Sequence, residues 1–595
     1  MPSSIYVSGK SIASPGVYTS VDASGLDVVG QSASGVIGVI GTAVGGTPYT
    51  ALSGPQDFVS ITNPAQGARL FTSGDLLEAV SIAFNPSNDT SIQGGAQQLY
   101  AMQVNPSVQA SLNLDGSSVI LTAQVYGSGG NAVTVTLAAG SASGQMLTIS
   151  NGSVTEIADN LDDSSAQAVI DWISANSNLL TVTEVKVPVS VTGKDILCGE
   201  TNVSVGDQFG FVLGGNGYGY TAVAGDGPAQ VVQNFYGRLV GDAQGLGVSV
   251  AMVTVDGNPA VRVMPAHAGA SIETHGAQNI IIQDSPSVQI SDGTPAALPN
   301  MAATPLAGGS DGQATFQDWQ NCLNLLKQVR CNTVVVLTTD PAVHAALDAH
   351  CTYMCGLGQS ERDGFVGIAS SQLSGLPTRT EILNALSALN TYNLRACAEQ
   401  IQRYNSQGVL TTFPTYFTAL LAAGMQAGST PGASLTRKRV NALGVLRDKS
   451  WNLVDNKEEM ILAGLLFLEN KTNVGIRWVR NVTTWTTDNN SAYSDGGVRN
   501  ALNYAVYNLR EAVDFAIGLE NFAGTSNAIV AVASQQLRTL IAENVITAYR
   551  ALSASADPDA PDSLLLNVQL APTEPINFVK FTISLATATQ IAAAA

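Results

Sequence analysis

The residues able to do chemistry are few and scattered. Gly9-Lys10-Ser11 ends like a phosphate-binding loop, but the glycine required five residues before Gly9 is Ser4. No strand-to-helix pattern follows in which backbone N–H groups could cradle a phosphate, so no nucleotide site is expected there. The chain has four histidines (His267, His275, His344 and His350) and six cysteines (Cys198, Cys322, Cys331, Cys351, Cys355 and Cys397). Only His344, His350, Cys351 and Cys355 cluster. A zinc site takes four ligands in two short pairs. This stretch reads better as a helix from Pro341, with Cys351 and Cys355 four apart on its buried face as core thiols. There is no CxxC pair and no dense disulfide framework. No HExxH or EF-hand pattern occurs, and no GxSxG nucleophile elbow is expected. Carboxylates could carry hydrolysis without histidine, yet Asp and Glu are spread over turns and polar faces, where solvation accounts for them. Tyr218 and Tyr220 give residues 217–225 the aromatic content of a sugar-binding loop, although turn duty is the plainer reading. The pattern points to no catalytic, metal or cofactor site.

The elements that would position such residues belong to a large globular chain. Its 595 residues are 45% apolar and 12% charged, enough for several cores and about two to four domains. Low charge sets it apart from disordered sequences. Lys and Arg number 26 against 45 Asp and Glu, a net charge of −19. That balance argues against nucleic acid as a partner, since phosphate neutralisation needs a basic surface. The longest apolar runs, 461–468 and 36–44, fall short of the roughly 20 residues that span a bilayer, so no membrane insertion is expected. MPSSIYVSGK lacks the basic and apolar regions of a signal peptide, so a soluble product made in the cytosol is expected.

Texture divides the chain at about 104, 300 and 490. In 1–104, residues 34–46 form a continuous apolar run expected to be a strand buried on both faces. Ser73-Gly74-Asp75 opens a helix with Leu76, Leu77, Val80 and Phe84 on one side, and 98–104 resumes a strand. Residues 105–300 hold sixteen acids but only Lys186, Lys194, Arg238 and Arg262 as bases. Alternating runs at 119–126, 133–137, 180–191 and 248–255 give an all-β signature. A helix is expected at 164–174, a glycine-rich loop at 214–227, and two modules meeting near 195–205. Residues 301–490 return to α/β texture. A helix carries Phe316, Trp319, Leu323, Leu326 and Val329, a strand spans 334–337, and Asp340-Pro341 supplies an N-cap with proline at the first helical position. Another strand follows at 365–368. In 491–595, one helix buries Val498, Leu502, Ala505, Leu509, Val513 and Ile517, opposite a ridge of Arg499, Asn503, Tyr507, Arg510 and Asp514. A second helix is expected over 528–549. After the breaker at 557–561 come two alternating strands, Leu564/Leu566/Val568/Leu570 and Val579/Phe581/Ile583/Leu585. Strand-like pieces at both chain ends, including Ile5-Tyr6-Val7, could fold onto their own sheet or add to that of another copy.

Several segments in fixed order carry a family likeness: PGVYTSVDASG (15–25), SGVIGVIGTAVGG (34–46), LAGGSDG (306–312), FPTYFTALLAAGMQAG (413–428), LTRKRVNALGV (435–445) and NVGIRWVRNVTTWT (473–486). With the helix from Asp495 and the final strands, they resemble the tail sheath proteins of contractile-tailed bacteriophages and related contractile injection systems. The resemblance covers roughly 1–104 and 301–595. It implies a multidomain α/β (α+β) fold: a mixed-sheet sheath core built from N- and C-terminal parts, with residues 105–300 as an inserted, outward-facing, β-rich region. Residues 1–104 would be the N-terminal arm and first part of the core, 301–490 the central α/β domain, and 491–595 the helical part and C-terminal arm. It further implies a structural subunit with no cofactor, assembled as a helical stack of hexameric rings around an inner tail tube protein. Baseplate and tail terminator proteins would be further partners, and the virion tail its location. The sheath would be trapped in an extended state and shorten by near-rigid rotation of subunits, driving the tube through the host envelope. Ile5, Tyr6, Val7, Val579, Phe581, Ile583 and Leu585 would donate strands to neighbours, and a cut after Asp562 is expected to leave a folded core unable to assemble. Arg437, Lys438, Arg439, Arg499, Arg510 and Asp514 are candidate contacts with tube or neighbour. The competing expectations are another phage structural protein, or a glycan-binding or glycan-active surface protein.

Overall fold

The computed structural model describes residues 5–7, 10–12, 34–92, 94–114, 119–184, 187–266, 272–293, 297–450, 457–520, 523–560 and 562–583. The motif at 15–25, His267 and Leu585 lie outside the described residues. The chain forms two compact units, Met1–Ser107 with Asp311–Ala595, and Val108–Ser310.

The first unit is organised by β1 (Val36–Gly41), whose six residues are all buried. Because neither face meets water, its sequence is a continuous apolar run rather than an alternating one. Its glycines admit close neighbours: a Cβ on Gly38 would sit 2.9 Å from Leu326, and one on Gly41 2.6 Å from Leu337. The strands that join it are β2 (Val59–Ile61), β3 (Gln98–Gln103), β4 (Thr333–Val336), β5 (Asp363–Gly367) and β6 (Leu394–Cys397), in spatial order β6-β5-β4-β1-β3-β2. Only β2 runs antiparallel to its neighbour. Ile37, Val39 and Val335 point to a core shared with helices α1 (Asp75–Phe84) and α5 (Thr415–Ala427). Val36, Ile40, Val334 and Val336 meet α2 (Phe316–Leu326), α3 (Pro341–Cys355) and α4 (Arg379–Leu389) on the other face. The period of two thus splits one sheet between two cores. Every residue of α5 except Tyr416 is buried, as expected of a helix apolar on all sides. Asp340 caps α3, accepting the Ala342 N–H at 2.9 Å. On α3, Cys351 is buried and Cys355 half-buried, and all six cysteines are free thiols. His344 Nε2 lies 3.0 Å from the Thr338 carbonyl.

A small antiparallel sheet follows, made of β7 (Gln400–Tyr404), β8 (Leu410–Phe413) and β9 (Gly444–Leu446). The C-terminal part comprises α6 (Gly496–Val513), α7 (Ala523–Ala542), β10 (Ile546–Ala556) and β11 (Leu564–Pro572). Two expectations change here. Helix α6 ends at Val513, Ile517 is 83% exposed, and the buried face is Val498, Ala501, Tyr504, Ala505, Asn508 and Ala512, with Asn503 buried as well. The helix presents alanines to its neighbours, which permits a closer approach than the leucine stripe would. Helix α7 stops at Ala542, not at 549. Asn544 takes a left-handed φ of 60°, the usual way to close a helix, and Ile546–Ala556 continues as strand.

In the second unit, strands Thr134–Ala139, Gln145–Ser150, Thr155–Leu161 and Met301–Pro305 form one sheet, and Gln109–Leu114, Val119–Tyr126 and Leu180–Glu184 another. Helix Gln167–Asn176 buries Val169, Ile170 and Ile173, the residues expected. The stretch expected as a loop at 214–227 is instead largely a hairpin, Gln208–Leu213 with Asn216–Thr221. Gly214 and Gly215, at φ 55° and 84°, make its two-residue turn. Tyr218 is buried against Phe211, ring centroids 5.3 Å apart, and the Tyr220 hydroxyl donates to Asp226. A 19-residue helix, Pro228–Leu246, then packs Val231, Val232, Phe235 and Leu239 into the core.

Candidate assembly site

The C-terminal arm grows from the β10–β11 hairpin. Leu564, Leu566, Val568 and Leu570 alternate on β11 and are half-buried, and Val568 and Leu570 pack on a cluster of Ala501, Tyr504, Leu537, Leu540 and Ile546. Both register shifts in this ladder lie on the β10 side, where Ala551 has a φ of 55°. β11 runs regularly. Beyond it the chain is held by isolated bonds. The Thr573 N–H donates to the Val545 carbonyl at 3.1 Å, Ser491 Oγ to Glu574 at 2.8 Å and Asn577 Nδ2 to Asp495 at 3.3 Å. Arg480 lies 5.4 Å from the Phe578 ring. Val579, Phe581 and Ile583 then stand 68%, 86% and 84% exposed, in a stretch that joins no ladder among the described residues. Burying three such side chains is worth roughly 5–8 kcal/mol. At the other end, Ile5–Val7 pairs antiparallel with Lys10–Ile12, with Ile5 opposite Ile12.

The root of this arm connects to the central sheet. Asp495 caps α6, accepting from the Gly497 and Val498 N–H groups at 2.9 and 3.3 Å. The next carbonyl, Gly496, accepts from Arg395 of β6, whose Nη1 is 2.5 Å from Asp363 of β5. Asp363 also accepts from Thr333 and Gln426. The pattern reading missed this network. Its signal was present: a charge inside each of two otherwise apolar strands, at Asp363 and Arg395, is tolerable only if the two pair.

The polar ridge on α6 is committed largely within the chain. The Arg499 guanidinium stacks 4.5 Å from the Tyr392 ring, Tyr507 lies 3.6 Å beneath Arg330, and Arg510 donates to Glu361 at 2.9 Å. Asp514 is exposed at the end of the helix. The basic turn also folds inward. Arg437 pairs with Glu469, Lys438 Nζ donates to Ser91 at 2.5 Å, and the Arg439 N–H donates to Asp89 at 3.0 Å. Against the upward push of burial, hydrogen bonds from Ser91 and Arg439 and the nearby Lys438 charge hold the Asp89 carboxyl down at about 2. Arg437 remains half-exposed at a φ of 66°. Among the described residues, no three His, Cys, Asp or Glu side chains converge as metal ligands, and no helix is long and apolar enough to cross a membrane.

No family model matches the chain. Its sequence is 25% identical over 585 residues to the tail sheath protein of Bacillus phage SP01, covering 96% of this chain and 95% of that protein. An alignment of that length runs through Val108–Ser310 as well as the first unit. Among solved structures, the fold is similar to a sheath tail protein from Listeria innocua (TM-score 0.54, 12% identity, 93% of this chain and 95% of that one). A sheath tail protein from Desulfitobacterium hafniense is similar to the same degree (TM-score 0.53, 14% identity, 94% and 97%). The chain is thus similar in sequence to a tail sheath protein from end to end, and similar in fold to sheath tail proteins over more than nine-tenths of its length.

Proposed function

We propose that the chain is the structural subunit of a contractile tail sheath, which polymerises around an inner tube and shortens to drive that tube into a host cell. The observation that carries this is the match to the SP01 tail sheath protein along nearly the whole of both chains. The finer organisation proposed is a helical stack of six-membered rings in the virion tail, made in the host cytoplasm and bounded by baseplate and terminator proteins. Such stacks need heterologous contacts that do not close on themselves.

Strand donation is the proposed contact. Val579, Phe581 and Ile583 present an alternating apolar edge with no ladder of their own, which supports their use as a donor. A two-stranded hairpin is marginal alone and gains from a third strand, so β10–β11 is the proposed acceptor. β11 offers the regular edge, whereas bulges on β10 discourage pairing there. Ile5, Tyr6 and Val7 would serve the same role once released from Lys10–Ile12. The ties from α6 to β5 and β6 support near-rigid movement of the first unit, with arms keeping neighbours joined. Of the candidate tube contacts, the outer faces of Arg437 and Arg439 and the exposed Asp514 stay in the proposal.

Electron microscopy of the purified full-length chain tests the reading, with hollow striated cylinders as the expected result. The informative truncation lies after Phe578. A cut after Asp562 would also remove β11 and leave β10 unpaired. Full-length protein should form cylinders and the shortened chain should not, with the two melting alike. Discrete particles from the full chain would sink the sheath reading, and cylinders from the shortened one would remove the C-terminal donor.

A further inference from the structure

In the second unit, one sheet is built of Val248–Val255, Asn258–Pro265, Lys194–Cys198 and Ile280–Asp284 in that spatial order, with every neighbouring pair antiparallel. Its first and last strands have a strand partner on one side only among the described residues. A free strand edge offers unpaired N–H and C=O groups to another chain, and proteins usually blunt it with a bulge, a charge or a proline. The unit's other four-stranded sheet is blunted in that way at both edges. A register shift breaks Thr155–Leu161, and another breaks Met301–Pro305, which also ends in proline. Val248–Val255 has no such device. All eight of its residues pair in unbroken register with Asn258–Pro265, and VSVAMVTV contains neither charge nor proline. Ile280–Asp284 pairs as regularly on its one side, and its sole charge, Asp284, is held by Lys194 at 2.5 Å.

The two free edges also fit each other. Four strands that alternate in direction leave the two edge strands running opposite ways. A second copy set alongside by translation therefore continues the alternation. Residues opposite one another fall in rows across the sheet. One row runs Val253, Ala260, Leu197, Ile281, and the next, on the other face, Met252, Val261, Ile196, Ile282. Each row starts and finishes on an apolar residue at a free edge, where Met252 is 38% and Ile281 50% exposed and Val253 and Ile282 are half-buried. With the rows in line, Ile281 comes beside Val253 of the next copy and Ile282 beside its Met252, apolar pairs of the kind that stabilise adjacent strands. We propose that the Ile280–Asp284 edge of one subunit pairs antiparallel with the Val248–Val255 edge of a second copy, so that one sheet runs on from subunit to subunit. The contact joins two different surfaces, the heterologous kind that builds rings and helical stacks. It rests on the sheath reading, which sets copies side by side, and adds a seam apart from the chain-end arms.

Exposed positions on the seam test it. Ala251 and Gln283 stand at the two ends of the adjoining row, and both are exposed. Cylinders of the full-length Ala251→Cys, Gln283→Cys chain, treated with a short bis-maleimide, should run in denaturing gels as a ladder of dimers, trimers and longer species. The ladder should be at least tenfold stronger than any the parent chain gives. Each single-cysteine chain should give none, since the contact needs both edges. Adding Ile281→Lys puts a charge on the seam. It should cut the ladder at least tenfold and leave the free subunit melting within about 1 °C, because the side chain it replaces is half exposed. No ladder from intact cylinders overturns the proposal. A ladder indifferent to the lysine overturns it too, because the edges would then be near but unpaired. Dimers from Ala251→Cys alone would mean that this strand pairs with its own counterpart across a two-fold axis, and the opposite-edge assignment fails. If the parent chain forms no cylinders, the sheath reading falls first and this proposal with it.

Discussion

Replacing Arg395 by methionine should cost the free subunit about 4 kcal/mol. The side chain is 1% exposed, with Nη1 2.5 Å from Asp363, Nη2 on the Gly496 carbonyl and the guanidinium 4.8 Å from the Phe365 ring. Methionine fills most of the volume but leaves Asp363 ionised in a dry site. Removing one member of a buried pair costs roughly 3–5 kcal/mol, most of it the penalty on the charge left behind. Thr333 and Gln426 still donate to Asp363, which moderates that penalty, while the lost bond to Gly496 adds about 1 kcal/mol. At roughly 2 °C per kcal/mol for large domains, the melting temperature should fall by about 8 °C. Adding Asp363→Asn removes the orphaned charge and should recover about half the loss, so the double variant is more stable than the sum of the two single changes. Urea unfolding of all four proteins measures the coupling. Hydrogen exchange should also show faster opening of the Gly497–Ala501 amides in the single variant, since Gly496 has lost its hold on β6. A single variant within about 1 kcal/mol of wild type, or strictly additive changes, would refute the idea that this pair ties α6 to the sheet.

Other outcomes follow from separate parts of the molecule. Burial lifts the fully buried Glu399 carboxyl to about 7, against the lowering effects of Arg447 and the Leu468 N–H. Its neutral form is thus favoured in the fold, so its contribution is fully present below the unfolded value of 4.5 and lost as pH rises to about 7. The Glu399→Gln variant should therefore show a flatter melting profile between those limits, and equal slopes in differential scanning fluorimetry would count against this. An alanine at Gly367 would place its Cβ 2.2 Å from the Tyr416 backbone nitrogen. Pushing the first turn of α5 off β5 should cost about 3 kcal/mol, and an unchanged melting temperature would mean the backbone can give. The triple change Val579→Asp, Phe581→Asp and Ile583→Asp alters only exposed side chains. It should leave melting within about 1 °C of wild type while abolishing cylinders in sedimentation and microscopy. Normal cylinders would remove the apolar edge from the assembly contact.

What the sequence disclosed depended on how local each cause was. β1 was legible because burial on both faces leaves a run of Val, Ile and Gly that few other environments accept. The start of α3 was legible because Asp340 and Pro341 act within one turn. Helix Pro228–Leu246 was not read from the sequence: Gly237, Gly241 and Gly245 weaken its helical signal, although burial of Phe235 and Leu239 outweighs their low propensity. The end of α7 was overrun because the apolar spacing continues through Ile546 and Tyr549, and only Asn544 marks the turn. Among the site residues, the exposed alternation from Val579 is a property of neighbouring positions and could be read directly. The partners of Arg439 and Arg510 could not: Asp89 lies 350 positions from the first and Glu361 149 from the second. A basic cluster looks the same in sequence whether its charges meet solvent, another subunit or their own chain.

That distinction bears on where assembly energy can come from. A charge satisfied within its own subunit contributes little when copies meet, since the new contact must first give up the old one. Arg510 on Glu361, Arg437 on Glu469 and Arg439 near Asp89 are of this kind, and the ridge and turn they occupy are poor candidates for a large gain. The apolar run at Val579–Ile583 and the regular edge of β11 are of the opposite kind. Each is incomplete in the free subunit, in buried area or backbone pairing respectively, so any neighbour that completes it gains without breaking anything. A sheath built on such contacts holds together through groups that do nothing for the fold of the lone subunit. Its assembly can therefore be abolished by substitutions that leave the subunit's own melting untouched, whereas damage to Arg395, Gly367 or Glu399 is felt first in the fold.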